Sequence, residues 1–176
     1  YYVKSTEVRI KQRIFLLFDE LNIFKEDLYN SFLENIGKDV QVDIFFHNFN
    51  TQVFQKLIND SNGNYTKYII MPTNLIGAAA IIETLPVNDV YILDQTNPEL
   101  NSFPAVYQNH KKDIYEGFVK GKSRLNKYEK LIMIFPGFRE PLGMKIGFEN
   151  FCANFEFDYE IITEFKNREI QKGEVY

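Results

Sequence analysis

A set of polar residues in this chain falls at corresponding places, each just beyond a short apolar run: Asp19 and Asn22, then His47, Asn48 and Asn50, then Thr73, then Asp94 and Gln95, and finally Gln108 and Arg139. If the apolar runs are parallel strands, these residues share the carboxyl edge of a sheet, where open α/β proteins bind their ligands. Amides, carboxylates and hydroxyls with aromatic neighbours (Phe24, Phe49 and Phe138) suit a polyhydroxylated ligand. Each hydroxyl of such a ligand wants a donor and an acceptor, and an aromatic face covers its C–H patch. Taken singly, each Asn, Asp or Thr is also what a helix cap requires. As a set they read as a ligand cleft, with Asp19, Asn22, Phe24, Asn48, Thr73, Asp94, Gln95, Gln108 and Arg139 as its candidate residues.

The familiar catalytic patterns are missing. After the first apolar run stands Asp19-Glu20-Leu21-Asn22, not a glycine-rich dinucleotide loop. There is no P-loop lysine pattern and no nucleophile elbow. The adjacent acids Asp19 and Glu20 suggest a phosphorelay site, but the later strand ends read Pro72-Thr73 and Asp94-Gln95, without the lysine that chemistry needs. His47 reads as a hydrogen-bonding or ligand-contact residue, and Cys152, between Phe151 and Ala153, as a buried and inert thiol. One cysteine and two histidines leave little for a zinc site, so neither a metal nor a cofactor is expected. No enzyme is expected either. The reading from that other class is a small isomerase or transferase using Asp19 and Asp94.

The elements that must position these residues alternate. Ile14 to Phe18 is a continuous apolar run, as expected of a parallel strand covered on both faces. Asn22 caps a helix of about Ile23 to Ile36, in which Phe24, Leu28 and Phe32 recur every fourth residue and Gly37 is the stop. Phe24 and Phe32 read as core. Val40 to Phe46 is a second strand, followed by a helix with Val53, Phe54, Leu57 and Ile58 on one face. Tyr68 to Met71 is a third strand, after which Thr73 or Asn74 caps a helix containing Gly77-Ala78-Ala79-Ala80. Val90 to Leu93 is a fourth. Beyond it come a loop to Pro104, a short strand at Ala105 to Gln108, a helix from Asp113 to Asn126, a strand at Leu131 to Phe135, a helix from Pro141 to Asn154 and a strand at Tyr159 to Ile162. The pattern predicts a doubly wound, largely parallel α/β fold.

Composition agrees with a globular chain: 45% of the 176 residues are hydrophobic and 25% are charged. The net charge of -4 gives the segment as a whole no cationic surface for nucleic acid. No apolar run is long enough to cross a membrane, and Tyr1-Tyr2-Val3-Lys4-Ser5-Thr6 lacks the features of a signal peptide. The absence of an initiator methionine reads as a trimmed start.

The order of elements resembles the effector-binding domain of lactose-repressor/galactose-repressor-type proteins, built on the periplasmic-binding-protein fold. The resemblance runs from about Lys11 to Tyr176. It rests on the first strand with its Asn-x-Phe loop, Asn48-Phe49-Asn50-Thr51, Tyr68–Met71 before Pro72-Thr73, Val90–Asp94, the crossover Ala105-Val106-Tyr107-Gln108-Asn109, Leu131–Gly137, and Gly147-Phe148, which matches the family's Gly-Phe helix signature. Tyr1-Tyr2-Val3 resembles the end of the wing in gluconate-repressor-type winged-helix domains, which regulators of the arabinose-repressor kind join to such a sensor. Two positions depart from the family: Met144, with Lys145 beside it, stands where a sugar-contacting arginine is common, and Gln108 or Asn109 replaces the crossover acid. Arg139 is the candidate substitute for that arginine.

The resemblance implies a cytoplasmic homodimeric regulator that binds a monosaccharide between two lobes and DNA through an N-terminal domain outside this chain, with no membrane partner. Helix Ile23–Ile36 is wide enough in apolar character for both core and dimer contact. Residues 1–10 would be the end of the winged helix and its linker, 11–104 the first lobe, 105–130 the crossover segment and helix, and 131–176 a partial second lobe. A sugar-binding protein of a transport system is the alternative on the same fold.

Overall fold

The computed structural model describes residues 11–137, 139–166 and 168–176, and its contacts divide the chain into a first unit ending at Tyr107 and a second, Gln108–Tyr176. The expected winged-helix remnant at 1–10 and the aromatic Phe138 lie outside the described residues.

In the first unit β1 (Gln12–Phe18), β2 (Val40–Phe46), β3 (Lys67–Ile70), β4 (Val90–Asp94) and β5 (Ala105–Tyr107) form a parallel sheet in the order β2-β1-β3-β4-β5. β1 lies between two strands, and Ile14 to Phe18 are buried, which is why the sequence there is apolar without alternation. One face carries Phe15, Leu17, Tyr68, Ile70, Val90 and Ile92 against α2 (Thr51–Ser61) and α3 (Ala78–Ile82). Phe54 and Ile58 of α2 are fully buried there, each worth about 1.5–3 kcal/mol. The other face carries Leu16, Phe18 and Met71 against Leu28, Tyr29 and Phe32 of α1 (Ile23–Asn35). Helices therefore cover both faces, and the unit is a doubly wound parallel α/β fold. Asn22 and Asn50 cap α1 and α2 with their side-chain oxygens.

α1 covers only part of its face. Beside it an apolar groove of about 450 Å³ runs over β3, β4 and β5, lined by Leu16, Phe32, Ile69, Leu93 and Val106. Tyr91 and Val106, on the same face, are exposed.

In the second unit β6 (Lys130–Ile134) is the middle strand of the parallel order β7-β6-β8, between β7 (Asp158–Ile162) and β8 (Glu174–Val175). α4 (His110–Leu125) and α5 (Leu142–Phe155) share the core with Leu131, Met133 and Ile161, and Phe118 stacks on Phe151 with ring centroids 5.2 Å apart. The two helices approach closely at Gly147. A Cβ there would lie 2.5 Å from the Lys111 carbonyl oxygen and 3.1 Å from the Ile114 Cβ.

Several expectations change. Phe24 is half exposed rather than core, and the residue of the first turn that is buried is Lys25. Neither Thr73 nor Asn74 caps α3; the helix begins after Gly77, which has φ of 77°, because the Thr73 hydroxyl is turned toward Asp19 instead. α4 starts at His110, three residues before the expected Asp113, under the Asn109 cap. β5 bonds to β4 and joins the first sheet. β8 was not expected from its two-residue length, yet it gives the second unit a third strand.

Candidate functional site

Asp19, Thr73 and Asp94 meet at the carboxyl edge of the first sheet, and a lysine holds them together. Lys25 Nζ lies 2.5 Å from Asp94 Oδ2 and 3.5 Å from Asp19 Oδ2. The Thr73 hydroxyl donates to Asp19 Oδ2 at 3.2 Å, and Asp19 Oδ1 accepts the Glu20 N–H at 2.7 Å. All four residues are at least nine-tenths buried. Their positions follow from the elements: Asp19 follows β1, Asp94 ends β4, Thr73 follows β3, and Lys25 lies in the first turn of α1, whose Asn22 cap accepts the Lys25 N–H at 3.0 Å.

His47 ties the same edge together from the other side. Its ring is fully buried between Phe49 and Phe54, and its Nε2 lies 3.0 Å from the Met71 carbonyl oxygen, reaching from the end of β2 past β1 to β3. A carbonyl only accepts, so Nε2 carries the proton in the neutral ring and Nδ1 is the unprotonated nitrogen. Nδ1 is buried without a hydrogen-bond partner among the described residues. Burial holds the His47 pKa below the usual imidazole value, against the opposing pull of the Met71 bond and Asp19.

The backbone at this edge is strained. Asn48, Phe49, Thr73 and Asp94 have φ of 48°, 56°, 51° and 70°, in the left-handed region that Asn and Asp enter readily but the bulky Phe49 and β-branched Thr73 avoid. Such conformations cost about 1–3 kcal/mol each and persist where neighbouring bonds over-determine them. Here the Asn48 N–H donates to the Asp19 carbonyl at 2.7 Å, Thr73 is held by Asp19 and Asp94 by Lys25.

Of the other residues expected at the site, Asn22, Phe24 and Asn48 are exposed at this edge and Gln95 is half-buried there. Gln108 and Arg139 belong to the second unit and are exposed in it. The edge thus combines a buried charged network, which fixes the loops, with exposed amides and one aromatic ring. Sequence reasoning missed Lys25. Its signal was a cation in the first turn of a capped helix, where the helix dipole disfavours positive charge and an acidic partner must offset the cost. Cys152 is buried, and burial together with Glu149 pushes its thiol up to about 11, which leaves it inert at neutral pH. Among the described residues no group of His, Cys, Asp and Glu is placed to hold a metal ion, and no helix is long and apolar enough to cross a membrane.

The fold is that of the periplasmic-binding-protein type. Solved structures similar to this chain include a LacI family transcriptional regulator from Silicibacter pomeroyi, at 10% identity and a TM-score of 0.67 over 88% of this chain and 59% of that one. A LacI family transcriptional regulator from Lactobacillus casei with bound glucose is 14% identical, with a TM-score of 0.58 over 86% of this chain and 59% of that one. A periplasmic solute-binding protein of an ABC transporter from Actinobacillus succinogenes with bound D-allose is 18% identical, with a TM-score of 0.62 over 86% and 58%. The chain therefore spans about 60% of the length of such proteins. No protein-family model matches the sequence, and no curated protein matches it significantly.

Proposed function

We propose that this chain is the effector-sensing part of a cytoplasmic bacterial transcriptional regulator and that its effector is a monosaccharide. The observation that carries the reading is the carboxyl edge of the first sheet. There Lys25 and His47 tie together the loops that follow β1 to β4, with left-handed turns at Asn48, Thr73 and Asp94, while Asn48 and the Phe24 ring are exposed and Gln95 is half-buried. Rigid amides around an aromatic ring match a polyol's alternating hydroxyls and C–H patch. The sugar acts by its differential affinity for two conformations, and the shift reaches DNA through a winged-helix domain of the gluconate-repressor type in a homodimer.

The D-allose complex of a transport-system relative favours a second reading, a sugar-binding protein without a DNA partner. Calorimetric titration of the full-length protein with pentoses, hexoses and deoxyhexoses tests both, with a binding constant expected for at least one sugar. Failure of all of them sinks both readings. Operator binding that changes with the sugar that binds separates the regulator from the transport protein.

A further inference from the structure

We infer that α4 is a self-association face, on which two copies of the chain meet helix against antiparallel helix across Gly117 and Gly121. The inference rests on the proposed function only for the second copy and needs nothing of its sugar. α4 packs on α5 through Lys111 and Ile114, where Gly143 and Gly147 of α5 leave little room for a Cβ. The glycines of α4 itself differ. Gly117 and Gly121 stand one turn apart inside the helix, where glycine is the poorest former after proline, and a Cβ added to either meets no atom within 4 Å. No close approach among the described residues requires them.

Both glycines open onto a groove of about 330 Å³ whose apolar wall is Ile114, Phe118 and Leu125. These three belong to the core of the second unit yet are only half-buried, so the groove is where that core reaches the surface. Helix axes approach to about 8 Å where the side chains at the crossing are small. A helix laid in the groove reaches the α4 backbone at the glycines and covers the apolar wall. The charges select which helix. Asp113 and Arg124 line the groove itself, about three turns apart and on the same side of the glycines. Between them on the exposed rim stand Glu116, which Lys112 approaches at 3.8 Å, and Lys120. Acids thus occupy the N-terminal half of the rim and bases the C-terminal half. An antiparallel second copy, related by a two-fold axis through the middle of the helix, sets Asp113 of each chain opposite Arg124 of the other and Glu116 opposite Lys120. A parallel copy sets like charge against like. The helix dipole also favours acids early and bases late, but it does not account for the two glycines.

Sedimentation of the full-length protein over a concentration series tests the face. A dimer is expected, weakened about 100-fold by Gly121→Leu and about 10-fold by either Asp113→Arg or Arg124→Asp. The two charge variants, each weakened alone, are expected to regain a tight dimer when mixed, because the heterodimer restores both pairs. A role confined to one chain cannot produce that recovery. A dimer as tight in Gly121→Leu as in the unsubstituted protein, or no recovery on mixing, overturns the inference and leaves the homodimer of the proposed function held elsewhere. A monomer overturns both, and a monomer whose thermal melt falls with Gly121→Leu shows the groove covered from within the same chain. Gly121→Ala guards against misfolding, since alanine favours the helix. A melt at or above that of the unsubstituted protein together with a weaker dimer supports the inference, and a dimer of unchanged strength counts against it.

Discussion

The two units share a local plan and finish it differently. Each has a central strand with its next two strands on either side, β2-β1-β3 in the first and β7-β6-β8 in the second, and each lays the helix that follows the central strand on one face. In the second unit α4 packs beside that helix, α5, against Gly143 and Gly147. In the first unit an apolar groove over β3 to β5 runs beside α1 on the face that it packs against. Their ion pairs differ in the same spirit. The first unit buries Lys25 with Asp19 and Asp94, while the second keeps Arg168 near the surface with Glu160 and Glu174, the Glu160 pair being bidentate at 3.0 Å. The buried pairs hold the loops of a sheet edge, and the half-buried ones tie β7, β8 and the segment around Arg168 together at the surface.

The contrast breaks first at Lys25. Lys25→Met leaves two buried carboxylates without their cation and is expected to cost about 3–5 kcal/mol in urea unfolding. A loss below about 1 kcal/mol would mean that the network does not dictate the edge. Next in size is Gly147→Ala, which places a methyl 2.5 Å from the Lys111 carbonyl oxygen and is expected to cost about 1–3 kcal/mol, measured the same way. An equally stable Gly147→Ala protein would show that α4 is not held as closely as the structure has it.

His47 gives the first unit a pH dependence. Its folded pKa is lowered by burial, so the unfolded chain binds the proton more readily, and stability is fully present above an unfolded value of about 6.5 and falls as pH drops below it. The expected slope is about 1.4 kcal/mol per pH unit until the folded pKa is reached. His47→Gln should remove that slope near pH 6, and a slope unchanged in the variant assigns it to other groups. The smallest effect belongs to Arg168→Gln. It breaks a half-buried network, bidentate to Glu160 and bonded to Glu174 and Tyr176, and is expected to lower the urea midpoint measurably but by less than Gly147→Ala does.

Much of the fold was legible. β1 reads directly because a buried parallel strand needs no polar residue, and Asn22 reads as a cap because it precedes an apolar period. The limits were physical too. Lys25 looks like any surface lysine of an amphipathic helix, and only the tertiary meeting of β1, β4 and α1 gives it partners. Thr73 looks like a cap, but a carboxylate from another strand competes for its hydroxyl. β8 is too short to carry a period, and it exists through its pairing with β6. Asp19, Thr73 and Asp94 meet at one edge, whereas the burial that separates them from Asn22 and Asn48 is not visible in the residue types.

The left-handed turns at Thr73 and Asp94 have a consequence for how this edge can diverge. Many binding loops take such shapes through glycine, whose conformation is indifferent to what surrounds it. There the path of the chain and the chemistry it presents are inherited separately. At Thr73 and Asp94 the path depends on the side chain's own bonds to Asp19 and Lys25. A change of chemistry at either position is then also a change of loop, so shape and specificity must drift as one trait.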